Sequence, residues 1–306
     1  MKDIIIVGGG LAGLTAGMYT KRAGLDTILF EKMFPGGQAA TTNMIENYPG
    51  FDDPVSGPEF AMKIENHARK FDLEIKYDEI TGLELDGKVK KVLTENEEYE
   101  AKAVILAMGA EPRKLGLEKE DEFRGRGVSY CATCDGAFYK DKDVVVVGGG
   151  DTAAEDAMFL AQYVNKVYLV HRRDSLRATK ILADRVISNK KIEKIWDSRV
   201  EAILGEDNVT GIRVVNVKTG EKREIKLDGI FIAIGVRPNN ELIKGTIEMT
   251  EAGYVLTNES METNIPGVFA VGDLRQKPLL QLITAAADGA VAAYSAQKYL
   301  IENFDE

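Results

Sequence analysis

Short runs of β-branched and aliphatic residues that close on glycine alternate along this chain with stretches whose apolar positions recur at helical spacing. Ile4-Ile5-Ile6-Val7 leads into Gly8-Gly9-Gly10, and Val144-Val145-Val146-Val147 leads into Gly148-Gly149-Gly150. Such unbroken apolar runs suit strands covered on both faces, as in parallel sheets. Val104–Met108 and Ile230–Ile234 repeat the pattern and stop at Gly109 and Gly235, and Pro112 and Pro238 follow closely, which discourages continuation as helix. Alternating segments at 89–94 and 212–217 predict β-meander strands, and helical spacing predicts helices over 57–71, 152–163 and 282–303. Strands alternating with helices place the chain in the α/β class.

The glycine-closed runs belong to a longer echo. Asp3-Ile4-Ile5-Ile6-Val7-Gly8-Gly9-Gly10-Leu11-Ala12-Gly13 reappears as Asp143-Val144-Val145-Val146-Val147-Gly148-Gly149-Gly150-Asp151-Thr152-Ala153. Strand, glycine turn and helix in that order separate a dinucleotide fingerprint from a chance match. Gly8 and Gly148 permit the tight turn, and Gly10 and Gly150 let backbone approach a pyrophosphate. Gly13 and Ala153 keep the helix close to the sheet. Each helix start then offers phosphates its unpaired N–H groups and positive end. One such motif can be a plain turn; two with matching flanks point to two nucleotide sites.

The next strand after each copy tells the two nucleotides apart. Thr27–Phe30 ends on Glu31, 18 residues beyond Gly13, whereas Val167–Val170 ends on His171-Arg172-Arg173, with His171 18 residues beyond Ala153. A carboxylate in that slot accepts hydrogen bonds from an adenosine ribose, which fits FAD. A guanidinium fork there suits a 2′-phosphate, so the second site favours NADP, with Arg177 adding to the cluster. A solvated basic helix start is the plainer alternative.

At 306 residues the chain has room for two domains, since single cores stop growing at roughly 250–300 residues. The glycine-closed strands ending at 109 and 235 read as crossings between them. The second nucleotide domain, about 114–245, would be inserted in the first, 1–113 with 246–306. A formal charge of −10 argues against a general nucleic-acid or anionic-membrane binder. Met1-Lys2-Asp3 runs straight into a strand pattern too short for a signal h-region, and no apolar run approaches membrane-spanning length. The expected location is the cytoplasm.

Two cysteines are present, Cys131 and Cys134, three positions apart. In a reducing compartment such a pair reads as a two-electron switch rather than a structural staple. Structural zinc needs four ligands, and only His67 and His171 could supplement the thiols, both distant in sequence. Thiol–disulfide exchange needs a thiolate and a nearby proton carrier. Asp135, directly after Cys134, is the candidate, with helix capping as its other role.

With the dithiol inside the inserted domain, the chain resembles the low-molecular-weight, bacterial-type thioredoxin reductases of the class II pyridine nucleotide-disulfide oxidoreductases, nearly end to end. The resemblance rests on Gly8–Gly13, Pro35–Gln38, Glu46–Gly50, Cys131–Gly136, Gly148–Ala153, His171–Asp174 with Arg177-Ala178, and Gly267–Asp273. It implies two Rossmann-like FAD/NAD(P)-binding domains with three-layer ββα character. It also implies a homodimer built through the FAD domain, with thioredoxin as the disulfide substrate. FAD would lie against Gly8, Gly10, Leu11, Ala12, Gly13, Glu31, Gly37, Gln38, Asn47, Ala107, Gly109, Gly272, Asp273 and Gln281. NADPH would lie against Gly148, Gly150, Asp151, Thr152, Ala153, His171, Arg172, Arg173 and Arg177. Cys131, Cys134 and Asp135 would be catalytic, and the C-terminal helix beginning near Gln281 would aim its positive end at the flavin. Because dithiol and nicotinamide site share a domain, the resemblance implies that this domain rotates, with hinges near 112–117 and 240–247.

A lipoamide- or glutathione-type reductase would place a wider cysteine pair beside the first glycine motif, and this chain does not. Many relatives carry an arginine where Leu280 stands, which leaves open a non-NADPH electron donor on the same scaffold. A flavin-dependent small-molecule dithiol oxidase is the other alternative. The retained arginines favour NADPH and thioredoxin reduction.

Overall fold

The computed structural model describes residues 1–42, 44, 45 and 47–304, so Asn43, Asp305, Glu306 and the Glu46 of the quoted Glu46–Gly50 run lie outside the described residues. The chain divides into two compact units, Met1–Glu111 with Arg237–Glu306, and Pro112–Val236. The second crossing therefore comes at Arg237, earlier than the expected 245. Asn239 explains the difference: its backbone N–H donates to the Gly109 carbonyl at 3.0 Å and its side-chain amide to the Met108 carbonyl at 3.0 Å. Ile243 and Ile247 then enter the core of the first unit.

In the first unit the strands Glu74–Tyr77, Thr27–Glu31, Lys2–Val7 and Glu98–Leu106 lie side by side in parallel. The far edge of Glu98–Leu106 is shared. Its early residues pair antiparallel with Lys90–Thr94, which continues to Ile80–Glu84, and its last residues pair parallel with Val268–Ala270. Ile4 and Ile6 join Leu29, Ile105 and Phe269 in one core, while Ile5 and Val7 join Phe30, Val104 and Leu106 in another. That split is what unbroken apolar runs require of a sheet covered on both sides. The helices Leu11–Arg22 and Leu282–Phe304 pack together on the first of these cores, and Gly57–Arg69 lies against Leu11–Arg22. Gly57–Arg69 begins where Ser56 accepts a hydrogen bond from the Glu59 N–H at 3.3 Å.

In the second unit a parallel sheet runs Val128–Ser129, Gly229–Ala233, Asp143–Gly148, Lys166–Val170, Ile192–Ile195. Val144 and Val146 meet Ala153, Ala154 and Ala157 of the helix Asp151–Leu160. Val145 and Val147 meet Val200, Ile212 and Val214 of the antiparallel meander Ser198–Gly205, Val209–Asn216, Lys222–Lys226. The result is the three-layer ββα arrangement, and both units follow the expected α/β class. The helix predicted over 152–163 ends at Leu160, whose carbonyl accepts from both Tyr163 and Val164 N–H groups as the chain turns.

Glu120, 2% exposed, pins the start of this unit. Its carboxylate accepts the N–H groups of Leu115 at 2.9 Å, Gly116 at 2.8 Å and Leu117 at 3.1 Å, and the hydroxyl of Tyr130 at 2.7 Å. Residues 115–117 and 243–247 are thus held, and the crossing segments themselves are paired: Ala110–Pro112 lies beside Val236–Pro238, and the Arg113 N–H donates to the Gly235 carbonyl at 2.9 Å. Among the described residues no helix is long and apolar enough to cross a membrane.

The tightest helix contact sits at Gly289. A Cβ there would lie 2.2 Å from the Ala12 carbonyl oxygen and 3.0 Å from the Ala16 nitrogen. Gly289→Ala gains helix propensity of up to about 1 kcal/mol but forces the two backbones apart. We expect a net loss of about 1–3 kcal/mol, read as a lower midpoint for thermal unfolding of the first unit. An unchanged or raised midpoint would show that the crossing is looser than these distances require.

Candidate functional site

Three sites of chemistry are built into the two units: a glycine turn in each, and the dithiol in the second. In the first turn, Gly8 takes φ +107° and a Cβ on it would meet the Ala107 carbonyl oxygen at 2.5 Å. The Ala107 N–H in turn donates to the Val7 carbonyl at 2.8 Å. A Cβ on Gly13 would lie 2.0 Å from the Gly8 carbonyl oxygen, so the helix can approach only without one. Gly10, by contrast, faces open space, and the helix Leu11–Arg22 that it starts has no side-chain cap. Gly36 and Gly37 close in from the side: the Gly36 N–H donates to the Gly9 carbonyl at 2.7 Å, and Gly37 abuts Gly10.

Glu31 ends the next strand as the spacing requires. Its carboxylate accepts the N–H of Gly9 at 2.8 Å and of Met33 at 3.0 Å. Beyond it opens a cleft of about 300 Å³ whose walls include Gly8, Phe30, Glu31, Lys32, Met108 and Asn239. Carboxylates have roughly four acceptor positions, so Glu31 keeps capacity for ribose hydroxyls after orienting the turn. Asn47 donates from its amide to the Gln281 Oε1 at 3.1 Å, which brings two expected residues together at the start of Leu282–Phe304. Gln38 is exposed in the Gly37–Thr41 turn that borders Gly10.

Asp273 follows Gly272 in a short turn, where its Oδ1 is buried and accepts no hydrogen bond. Burial pushes its carboxyl above the usual range, and Lys277, whose Nζ stands 3.4 Å from Oδ1, opposes the rise. Lys277 also reaches Asp288 Oδ2 at 3.2 Å. Asp288 accepts the Gly272 N–H at 3.1 Å and Arg275 through both oxygens at 3.0 Å. A buried ion cluster therefore ties the Gly272–Asp273 turn to the helix Leu282–Phe304. The Asp273 oxygen that accepts no hydrogen bond, the bare backbone at Gly10 and the cleft beyond Glu31 fit a flavin adenine dinucleotide.

The second turn repeats the first. A Cβ on Gly148 would lie 2.3 Å from the Ala233 carbonyl oxygen, Gly150 faces open space, and the helix Asp151–Leu160 has no side-chain cap. Asp151 accepts the Thr179 N–H at 2.6 Å and the Arg177 N–H donates to the Gly149 carbonyl at 2.7 Å, which folds the basic loop over the turn. Arg172, Arg173 and Arg177 are exposed, and none has an ion-pair partner among the described residues. His171 differs from them. Its ring is buried against Gly149, with Nε2 unpartnered, and burial together with the three arginines holds its pKa below the usual value. Open backbone beside three unpaired guanidinium groups fits a phosphorylated dinucleotide, with a neutral His171 as floor beneath the turn.

Cys131 and Cys134 form a disulfide. Cys131 caps the short helix Ala132–Asp135, and its Sγ accepts the Cys134 N–H at 3.2 Å. Thr133 Oγ1 lies 3.4 Å from the same sulfur. Asp135 is held by Ser129, whose hydroxyl lies 2.6 Å from Oδ2, while Oδ1 is buried without a partner. Burial raises the Asp135 pKa, and pushes the neighbouring Tyr139 up to about 12. A carboxyl with raised proton affinity beside a dithiol can hold and return a thiol proton.

Ser129, Glu120, Asn239, Lys277 and Asp288 were not singled out by sequence reasoning. Asp288 carried a signal: it is an acid inside the Ala285–Ala293 run, where only an inward-facing partner would justify a charge. The others become visible only through partners distant in sequence.

Residues 2–290 match the pyridine nucleotide-disulphide oxidoreductase family. A thioredoxin reductase of Bacillus subtilis is 47% identical over 302 residues, covering 98% of this chain and 95% of the relative. The crystal structure of a Streptococcus pyogenes thioredoxin reductase is 47% identical with a TM-score of 0.94, covering 99% of each chain. A Lactococcus lactis thioredoxin reductase solved in its FR conformation is 44% identical with a TM-score of 0.69, covering 99% of this chain and 100% of that one.

The helix after the second turn also carries Asp156, whose pKa burial and then Glu155 push up to about 7 from 3.8. The folded chain keeps a proton there that the unfolded chain releases across that window. Stability from the site is complete below the unfolded value and is lost as pH rises through about 7. Asp156→Asn is expected to stabilise the second unit at pH 8 by about 1–3 kcal/mol and to change little at pH 4. Parallel pH–stability curves for the two proteins would refute it.

Proposed function

The chain belongs to the pyridine nucleotide-disulphide oxidoreductase family, and from that premise we propose that it is a thioredoxin reductase, passing electrons from NADPH through FAD and the Cys131–Cys134 dithiol to the disulfide of thioredoxin. The observation that carries this reading is a closed Cys131–Cys134 disulfide in the same unit as a glycine turn flanked by three unpaired guanidinium groups. When bound, FAD and NADPH supply the hydride-accepting and hydride-donating chemistry that the side chains lack.

The chain's own residues bind, orient and move protons. Backbone at Gly8, Gly10, Leu11, Ala12 and Gly13 receives the FAD pyrophosphate, and Glu31 takes the ribose. Gly37, Gln38, Asn47, Ala107, Gly109, Gly272, Asp273 and Gln281 line the remainder. Gly148, Gly150, Asp151, Thr152 and Ala153 receive the NADPH pyrophosphate, while Arg172, Arg173 and Arg177 pair with its 2′-phosphate. Cys131 is the sulfur that attacks the partner disulfide: the Cys134 N–H and the Thr133 hydroxyl both stand beside it and favour its thiolate. Cys134 would be the sulfur that exchanges electrons with the flavin, and Asp135 would carry the proton.

Because the dithiol and the second glycine turn share one unit, the reading includes rotation of that unit about the two chain crossings, at Pro112 and Arg237. Exposed Ile283, Tyr294 and Ile301 on the helix Leu282–Phe304 support a homodimer through the first unit, and a cytoplasmic site of action completes the reading.

The test is anaerobic titration of the purified yellow protein with NADPH and with NADH, followed at flavin wavelengths, with and without thioredoxin. NADPH should bleach the band at lower concentration than NADH, and oxidised thioredoxin should restore it. Failure of both nicotinamides would move the donor elsewhere. Oxygen-dependent closure of a small dithiol, with thioredoxin inert, would favour an oxidase. In the same assay Arg172→Gln with Arg173→Gln should raise KM for NADPH about 10–100-fold, as lost charge-assisted bonds do, with kcat and the KM for NADH little changed. Equal losses for both nicotinamides would assign the arginines a structural role.

A further inference from the structure

Ser129 ends the strand Val128–Ser129 two residues before Cys131, and it is 4% exposed. Its hydroxyl has three polar neighbours: Asp135 Oδ2 at 2.6 Å, the Cys131 N–H at 3.1 Å and the Cys131 carbonyl at 3.3 Å. A hydroxyl carries one proton. The Cys131 N–H can only donate, so Ser129 Oγ accepts there. Its own proton goes to the nearer and charged oxygen, since such short charge-assisted bonds are the stronger ones. The relay therefore has a direction, from the Cys131 N–H to Ser129 and from Ser129 to Asp135 Oδ2. Asp135 Oδ1 is left buried and without a partner.

We propose that Ser129 is a positioning residue that acts through Asp135: it occupies Oδ2 as donor and so reserves Oδ1 as the oxygen that takes up and returns the thiol proton. The inference rests on the reading of Asp135 as the proton carrier. In the step it serves, the Cys131 thiolate attacks one sulfur of the partner disulfide, and the other sulfur leaves as a thiolate. Cys134 then gives its proton to Asp135 Oδ1, and its sulfur attacks Cys131 Sγ. The Cys131–Cys134 bond forms as the mixed disulfide breaks, and the second partner sulfur leaves. Two electrons have passed from the dithiol to the partner. One partner thiolate takes its proton from Asp135 and the other from water.

Ser129 also decides when Oδ1 is ready. Burial drives the Asp135 pKa up, and the Ser129 bond is the larger of the two influences that hold it down, the other being Arg124. Tyr139, itself facing Asp135 and Asp228, is the remaining titratable neighbour. Removing the hydroxyl leaves Arg124 and Tyr139 in place and takes away both the donor to Oδ2 and the acceptor of the Cys131 N–H.

The experiment is the pH dependence of kcat for thioredoxin reduction by the holoenzyme, in Ser129→Ala, Ser129→Thr and Asp135→Asn. Ser129→Ala should move the acid limb up by about 1 to 2 pH units, as loss of a hydrogen bond to a charged group does. Ser129→Thr, which restores a hydroxyl, should return the limb toward its original position, and Asp135→Asn should abolish it. A limb left in place by Ser129→Ala, with kcat lowered equally at every pH, would overturn the positioning role while leaving Asp135 as carrier. A limb that survives Asp135→Asn would overturn the carrier reading itself, and the inference with it. The pH dependence of alkylation of the reduced dithiol by iodoacetamide gives a second readout independent of turnover, and Ser129→Ala should shift it as well. An unshifted alkylation profile in Ser129→Ala counts against the inference.

Discussion

Nothing larger than hydrogen fits on Gly8 or Gly148, and both nucleotide sites depend on that constraint. Each glycine lies under the carbonyl of an alanine at the end of a neighbouring strand, Ala107 for Gly8 and Ala233 for Gly148. That contact seats the crossing strand against the turn, and the turn aims the next helix. Two residues further on, at Gly10 and Gly150, the same backbone faces open space. Crowding beneath the turn and emptiness above it are two sides of one arrangement. A side chain at the first glycine would lift the turn off the sheet and close the space that a pyrophosphate needs.

The local parts of this arrangement are legible in sequence because they repeat. An apolar run, three glycines and a helix start are contiguous, and a second copy makes the first intelligible. Glu31 and Arg172 could be placed by counting along the chain from each motif. What cannot be counted is what returns from far away. Asn239 secures the second crossing by reaching carbonyls at 108 and 109, so the boundary lies where those bonds form and not where composition changes. His171 stands in the same basic run as Arg172 and Arg173, yet the twist of the strand end turns its ring under Gly149 while theirs face solvent. The position of a residue in a motif said which loop it occupies, and only packing said which side of that loop.

Charge is handled in opposite ways at the two nucleotide sites. In the first unit Asp273, Lys277, Arg275 and Asp288 are gathered and largely mutually compensated, and Asp273 Oδ1, paired in charge with Lys277, accepts no hydrogen bond. Removing one member of such a cluster leaves an uncompensated buried charge, which is why the turn and the helix are bound as a pair. In the second unit three guanidinium groups remain at the surface with no carboxylate partner among the described residues. The first site stores its electrostatics internally and asks a ligand for a single donor. The second leaves its charge unspent for a ligand that brings its own anion.

Glu120 gives the second unit a mechanical character. Through one carboxylate it joins the segment at Leu115–Leu117 to Tyr130, the residue before Cys131. Burial and Glu120 keep the Tyr130 phenol protonated well beyond any physiological pH, so the joint does not loosen with alkalinity. The chain from Leu115 to Cys131 therefore behaves as a stiff arm with the dithiol mounted at its far end. A displacement of Leu115–Leu117 is passed through a single carboxylate to the residue next to Cys131.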